Sequence, residues 1–372
     1  FNVGARRAVP SIINSFIRPF DLSHAPLLRI GLVEAAEGEY IFLMDIHHIV
    51  FDGTSMGIFF EELFALYEGE TLPALRLQYR DFSGWQTRNA ADEQEKERVK
   101  RREEYWLKEF SGEVPLLDIR TDYVRQRIRR FVGDTGFFEI GPEETRQLKK
   151  LAEEEGATLF MVLLALFYVL LFKLSGREDI VIGSFAAGRN HADVRRIIGM
   201  FVVTLPLRNF PAGHKTFREF LREVKQRTLQ AFENQEYPFE ELVERVVKSR
   251  DMSRNPLYDV GMVWQNMDWL RGNTARVEKR DLSISPLDYD SMSSKLDLFL
   301  RGSERNGRIA IDFEYATSLF KRESIDRFIS YYSGIAAAVT RDPDRRLGEV
   351  VKITTGKGRV FLDRFSEDLE DE

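Results

Sequence analysis

The sequence predicts an α/β fold, built as α+β two-layer sandwiches in two lobes with a central cleft. Three observations carry that expectation. Strand-like and helix-like stretches alternate twice along the chain, first from about residue 28 and again from about Phe131. At 372 residues the chain is long for one core, which favours two. Its 43% hydrophobic and 31% charged residues are those of an ordinary globular protein. The expected division falls near residues 112–125. It gives an N-terminal lobe over 1–115, a C-terminal lobe over 116–350, and a linker with an acidic tail over 351–372.

In the first lobe, Leu28–Val33 alternates apolar side chains and reads as a strand. Glu37–Glu39 turns, and Tyr40–Ile46 reads as a second strand running on to the two histidines that follow. Thr54–Glu68 has the pattern of an amphipathic helix. Pro73 and Gln78–Phe82 then precede one long helical stretch from about Ser83 to Phe110. Its nearly all-charged section Asp92–Glu104 reads as a solvated face. Gly112 and Pro115 break the pattern. Arg120–Arg130 holds five arginines among eleven residues, which a linker or edge strand explains as well as an anionic partner does.

The second lobe opens with a strand at Gly136–Ile140, a helix at Glu143–Glu155 and a very apolar helix at Thr158–Leu174. Within the last, Leu159–Phe172 is 14 residues long and stops at Lys173, too short to span a bilayer and suited to a core helix. A strand at Ile180–Phe185, a helix at Thr216–Gln235, strands at Tyr258–Gln265, Asp297–Arg301 and Ile309–Tyr315, and a helix at Lys321–Thr340 complete it. No short repeat marks a solenoid or propeller.

Net charge is −6 with both signs interspersed, which leaves no footprint for nucleic acid. The chain has no cysteine, which removes disulfides, thiolate metal sites and thiol nucleophiles and fits a reducing cytoplasm. A cytoplasmic location, without membrane or nucleic-acid partner, is the expectation. No signal peptide is visible, and a first residue of Phe1 reads as a piece cut from a larger chain.

The chemistry concentrates at His47-His48-Ile49-Val50-Phe51-Asp52-Gly53. Two of the chain's five histidines stand side by side here, between a strand and a helix. If the strand runs through them, their side chains point to opposite faces, so one enters a cleft while the other packs behind it. Asp52 can fix the loop through backbone N–H groups or an arginine, or cap the helix. Gly53 offers a backbone position free of a side chain. A buried histidine pair on a hairpin is the plain structural alternative.

Two rival chemistries overlap this stretch. Gly53-Thr54-Ser55-Met56-Gly57 satisfies the nucleophile-elbow pattern, with His191 and His214 downstream to complete a triad. Ser55, however, falls inside the predicted helix rather than on a sharp turn. A metal held by His47, His48 and Asp52 is disfavoured because adjacent strand histidines diverge, so no metal is expected. Gly356-Lys357-Gly358 lacks the spacing of a P-loop. What remains is a histidine that handles a proton in acyl transfer. If both substrates are delivered to one cleft, no covalent enzyme intermediate is needed.

With these residues the chain resembles the condensation domain of nonribosomal peptide synthetases, a relative of chloramphenicol acetyltransferase. Beyond His47–Gly53, four motifs stand in family order. They are Tyr79-Arg80-Asp81-Phe82 with Trp85; Ile198–Arg208; Asn234-Gln235-Glu236-Tyr237-Pro238-Phe239-Glu240; and Arg250–Leu257. Weaker likenesses lie at Arg18–Leu22 and Ser294–Leu298. The family's first two motifs would lie before Phe1, Val203 stands where an asparagine usually precedes the threonine, and the end from about Val350 matches poorly.

The resemblance implies two chloramphenicol acetyltransferase-like lobes in a V. It implies that His48 assists attack of an acceptor amine on a donor thioester, with the Gly53 N–H near the reaction centre. His47 is structural, and Asp52 pairs with a cation for which Arg189 is the candidate. Tyr79, Asp81, Thr204, Gln235, Tyr237 and Asn255 become candidates to line the tunnel or substrate path. No tightly bound cofactor is implied. Substrates arrive on the 4'-phosphopantetheine of donor and acceptor peptidyl carrier proteins, with an adenylation domain as neighbour. The alternatives within the resemblance are an epimerisation domain and a catalytically silent docking domain. A heterocyclisation domain would carry aspartate in place of His47.

Overall fold

The computed structural model describes residues 11–13, 15–89, 91–265, 277–279, 282–284, 287 and 293–350. The linker and acidic tail expected over 351–372 lie outside the described residues. By internal contacts the chain divides into two compact units. The smaller gathers the described residues of Phe1–Asp92, Ala187–Val202 and Met267–Tyr289, and the larger those of Glu93–Ala186, Val203–Asn266 and Asp290–Glu372. This grouping differs from a single cut near residues 112–125, because packing joins segments that are far apart in sequence.

In the smaller unit, β1 (Leu28–Ala36) and β2 (Glu39–Ile46) form an antiparallel hairpin, with Leu28 opposite Ile46 and Ala36 opposite Glu39. Its turn needs a left-handed residue, and Gly38 supplies it at φ +73°. Strand alternation turns Ile41 and Leu43 to one face, where they bury against Ile13 with Phe16 alongside. Helix α1 (Gly53–Tyr67) follows the histidine turn, and α2 (Tyr79–Asn89) follows a stretch without regular structure.

The long helix expected over 83–110 is two helices, α2 and α3 (Glu93–Glu109). Helix α2 starts earlier than expected, because Asp81 Oδ2 accepts from the backbone N–H of Gln78 at 2.8 Å and so caps the first turn. A turn closes it, with Asp92 N–H donating to the Asn89 carbonyl at 2.9 Å. The charged run does face solvent, and Trp106 is the one buried residue of α3.

The larger unit is organised by a six-stranded mixed sheet in the order β3 (Gly133–Ile140), β10 (Arg308–Ala316), β9 (Leu298–Arg305), β6 (Val260–Gln265), β4 (Ile180–Ala186), β5 (Val203–Asn209). Only β4–β6 and β6–β9 pair in parallel. Strand β5 went unrecognised in the sequence because Pro206 interrupts it. It sits at the sheet edge, where one side carries no ladder and a proline is tolerated. Gly183 on β4 is required by close packing, since a Cβ there would lie 2.3 Å from the Tyr258 ring. The remaining hairpin, β7 (Val277–Lys279) with β8 (Leu282–Ile284), belongs to the smaller unit and pairs antiparallel.

Helices α4 (Pro142–Glu154), α5 (Leu159–Ser175), α6 (Phe217–Glu233), α7 (Phe239–Val246) and α8 (Arg322–Arg341) complete this unit. Helix α5 is apolar on every side, so it can only be stable when surrounded. Val162 to Leu171 are all without solvent exposure. Thr158 caps its start, accepting from Met161 N–H at 3.3 Å, and Gly176 ends it at φ +66°. Among the described residues no single helix is long and apolar enough to cross a membrane.

The Arg120–Arg130 stretch is neither helix nor strand. Two of its arginines turn inward, Arg125 onto the Asp297 carboxylate and Arg129 onto the Asn255 side-chain oxygen.

Candidate active site

The site begins where β2 stops. The strand ends at Ile46, and the histidines do not continue it, so turn geometry rather than strand alternation separates them. His47 is still extended, at φ −69° and ψ 132°, while His48 opens a short 3-10 turn ending at Val50. His47 is held from three sides. Its N–H donates to the Leu27 carbonyl at 3.0 Å, and its ring meets Phe20 edge-on with centroids 6.1 Å apart. Its Nδ1 accepts from Ile49 N–H at 3.1 Å. That last bond requires an unprotonated Nδ1 and places the neutral ring's proton on Nε2. His48, by contrast, is exposed, and among the described residues nothing bonds its imidazole. The pair thus consists of one anchored ring and one open ring.

Four residues past His48, Asp52 is buried and caps α1, with Oδ1 accepting from Ser55 N–H at 2.8 Å. It also meets a cation. Arg189 Nη2 lies 2.9 Å from Oδ1 and 3.1 Å from Oδ2, with both side chains at or below 5% exposure. Phe201 N–H donates to Oδ2 at 3.0 Å. A buried carboxylate is tolerable only when charge and hydrogen bonds are both satisfied, and both conditions hold.

Arg189 is seated as firmly. Its Nη1 donates to the carbonyls of Val194 and Ile197 at 2.8 and 2.6 Å, and its guanidinium stacks 4.1 Å over the Phe201 ring. The planar fork sends one nitrogen to the two carbonyls and the other to the carboxylate, a spread that the single point-like ammonium of lysine does not reproduce. Gly188 before it takes φ +64°, letting the chain turn Arg189 inward.

Tyr79 closes the same neighbourhood. Its hydroxyl donates to the Met200 carbonyl at 2.8 Å, and its ring covers Gly199, where a Cβ would lie 2.2 Å from Cδ2. Burial, with the Asp52 charge second, raises the phenol above its ordinary range. The structure therefore brings together His47, His48, Asp52, Gly53, Tyr79 and Arg189 within the smaller unit. Asp81 is exposed and serves as the α2 cap.

The other candidates belong to the larger unit. Thr204 lies on β5 opposite Phe185 and hydrogen-bonds the Tyr258 hydroxyl, whose pKa burial pushes up to about 12. Gln235 Nε2 donates to the Phe232 carbonyl at 2.7 Å, closing the turn after α6. Tyr237 is buried, with its hydroxyl 3.4 Å from Glu103 Oε1 on α3, and burial raises its pKa. Beside it Trp106 Nε1 donates to the Asn234 carbonyl at 3.0 Å. Asn255 accepts from Arg129, and its N–H donates to Asp259 Oδ1 at 3.2 Å. Each of these has a visible structural partner.

Three participants carry no site role in the sequence reading: Gly199 and Phe201 stand there only within the 198–208 motif, and Ser55 only as an elbow nucleophile. Ser55 is fully buried inside α1 and bonded to Asp52, Arg189 and Gly199, so it offers no exposed Oγ for attack. An Asp-x-x-Ser capping pattern was the one local signal for it. The contacts from 199 and 201 had none. Among the described residues no cluster of three potential ligands could hold a metal.

A family described as "Condensation domain" matches residues 3–360. Tyrocidine synthase 3 of Brevibacillus parabrevis is 46% identical over 353 residues, covering 95% of this chain and 5% of that protein. Bacitracin synthase 3 of Bacillus licheniformis is 42% identical over 364 residues, covering 98% and 6%. The chain thus spans about one-twentieth of the length of these relatives. Among solved structures, a four-domain nonribosomal peptide synthetase bound to AMP and glycine matches with a TM-score of 0.82 at 24% identity. The match covers 93% of this chain and 27% of that one, a likeness of fold.

Proposed function

The chain belongs to the condensation-domain family, and from that premise we propose that it forms an amide bond between two carrier-bound substrates. The observation that carries this reading is the asymmetry of the histidine pair. His47 has its Nδ1 occupied and its ring packed, whereas the His48 imidazole is open beside a turn whose other end is fixed by Asp52.

In the proposed reaction an acceptor amine attacks the carbonyl carbon of a donor acyl thioester. The carbon–nitrogen bond forms and the carbon–sulfur bond breaks. The amine's proton passes to His48 and from it to the departing sulfur, so the imidazole ends as it began. Gly53 is the first residue of α1, and its N–H lies among the unpaired donors of a helix start, suited to a developing oxyanion. Both substrates are proposed to arrive on phosphopantetheine arms, from a donor and an acceptor carrier protein, with an adenylation domain in the same assembly. Delivery on two arms makes the encounter effectively intramolecular, which removes much of the entropic barrier.

The test uses the intact synthetase with both carriers loaded. His48→Ala is expected to abolish peptidyl transfer once the uncatalysed carrier-to-carrier rate is subtracted. Near-normal transfer sinks the assignment. Stereochemical analysis of the carrier-bound product separates amide formation from epimerisation, since only the latter inverts a centre without lengthening the peptide.

A further inference from the structure

We infer that Ser55 is a positioning residue for the His48 turn, acting through Asp52. The inference rests on the proposed role of His48 for its effect on turnover, and on hydrogen-bond geometry alone for its effect on structure.

A serine hydroxyl has one proton to give and two lone pairs with which to accept. At Ser55 all three are used. Gly199 N–H and Arg189 Nη2 both donate to Oγ, each at 3.0 Å. The hydroxyl faces two acceptors, Asp52 Oδ1 at 2.7 Å and the Gly199 carbonyl at 2.9 Å. The carboxylate, nearer and paired with Arg189, takes the proton, because an acceptor in an ion pair makes the stronger bond. Ser55 Oγ thus touches the Asp52 carboxylate, the Arg189 guanidinium and the 199 backbone together. Its exposure is zero, so water cannot replace it.

The path from this knot to His48 is short. Asp52 follows Phe51, which is buried and edge-on to Phe59 of α1 with centroids 6.3 Å apart. Phe51 N–H donates back to the His48 carbonyl at 3.3 Å, and Val50 N–H to the His47 carbonyl at 3.2 Å. A shift of Asp52 therefore carries the backbone of His48 with it. Without the hydroxyl, Gly199 N–H loses its partner and Asp52 is held by fewer donors. Among the described residues no bond holds the open imidazole of His48 in register.

The experiment pairs a structural readout with a kinetic one on Ser55→Ala. In the 372-residue chain labelled with 13C-histidine, the His48 ring signals, assigned with His48→Gln, are expected to shift or broaden while those of His24, His191 and His214 stay fixed. In the loaded synthetase, kcat is expected to fall between about tenfold and a hundredfold at unchanged KM for the acceptor carrier, as misplacement of a reacting group does. On an Asp52→Ala background the same substitution is expected to add little, because the two act as one unit. Unmoved His48 signals overturn the inference whatever the kinetics. Moved signals with unchanged kcat overturn the proposed role of His48 instead. A full additional loss on the Asp52→Ala background shows independent action and also overturns it. If Ser55→Ala does not fold, Ser55→Cys substitutes a weak donor and acceptor of similar shape in a chain with no other cysteine. The same shifts are expected, and wild-type signals with wild-type turnover overturn the inference.

Discussion

Two buried arginine–aspartate sites, one in each unit, solve the same problem differently. In the smaller unit one carboxylate, Asp52, is met by Arg189, the Ser55 hydroxyl and the N–H groups of Ser55 and Phe201. In the larger unit two carboxylates share the ground. Asp259 is met by Arg254 and by Asn255 N–H, and Asp297 by Arg125. There, burial and then the Asp297 charge push the Asp259 carboxyl above its usual range. A single carboxylate surrounded by donors is locked, whereas two neighbouring carboxylates partly oppose their own cations. The first arrangement suits a turn that must not move. The second suits a loop junction where Asn255 and Arg254 are held in place.

The largest expected difference is in stability. Asp52→Ala leaves Arg189 buried without its anion and is expected to cost about 3–5 kcal/mol in urea denaturation. Asp259→Ala is expected to cost less, about 1.5–3 kcal/mol. Arg254 keeps the Leu117 carbonyl at 3.1 Å, and the remaining pair is relieved of repulsion. Equal losses at the two sites would break the comparison.

Next in size is Gly199→Ala, which drives a methyl into the Tyr79 ring. Overpacking of about 1–3 kcal/mol is expected, and Tyr79→Leu should recover part of it if that contact is the cause. Tyr79→Phe removes the hydroxyl from the Met200 carbonyl and is expected to cost about 1 kcal/mol. A neutral result would mean that the ring, and not the hydroxyl, does the holding.

The smallest effects lie in pH dependence, and their signs are opposed. A carboxyl raised in the folded state binds more protons folded than unfolded, so stability falls as pH climbs from the ordinary carboxylate value through the raised one. The penalty of Asp259→Asn should therefore shrink with rising pH. Glu155 is the reverse case. Hydrogen bonds from Arg222 and then Arg218 hold it below its ordinary value of 4.5, so its stabilisation is present above that value and lost as pH falls through the lowered one. The penalty of Glu155→Gln should grow with rising pH. Urea midpoints across the acid range check both, and parallel slopes would refute the distinction.

Much of the fold was legible because local patterns are decisive where burial is strong. The uninterrupted apolar run of α5, capped by Thr158, can only be a core helix, and the alternation in β1 and β2 identifies a hairpin. The break between α2 and α3 was not legible. Charged helix-forming residues run through it, and the cap that starts α2 early comes from Asp81 reaching back to Gln78. At the site the histidine turn and the Asp52–Arg189 pairing could be anticipated, the latter through the family's pattern. The tasks of Ser55, Gly199 and Phe201 could not, because each is defined by a partner across the fold.

By itself the sequence determined the strand–turn–helix that presents His47, His48 and Asp52, and it determined the family through motifs in fixed order. Those features depend on neighbours within a few residues, where propensity, capping and alternation act. Tertiary structure supplied the contacts that anchor His47 and leave His48 open, a division the family's pattern implied, and it alone made the serine of the elbow pattern a buried hydrogen-bond centre. It also closed Arg189 onto a carboxylate 137 positions away. Burial and hydrogen-bond completeness are properties of the packed chain, and a linear pattern cannot carry them.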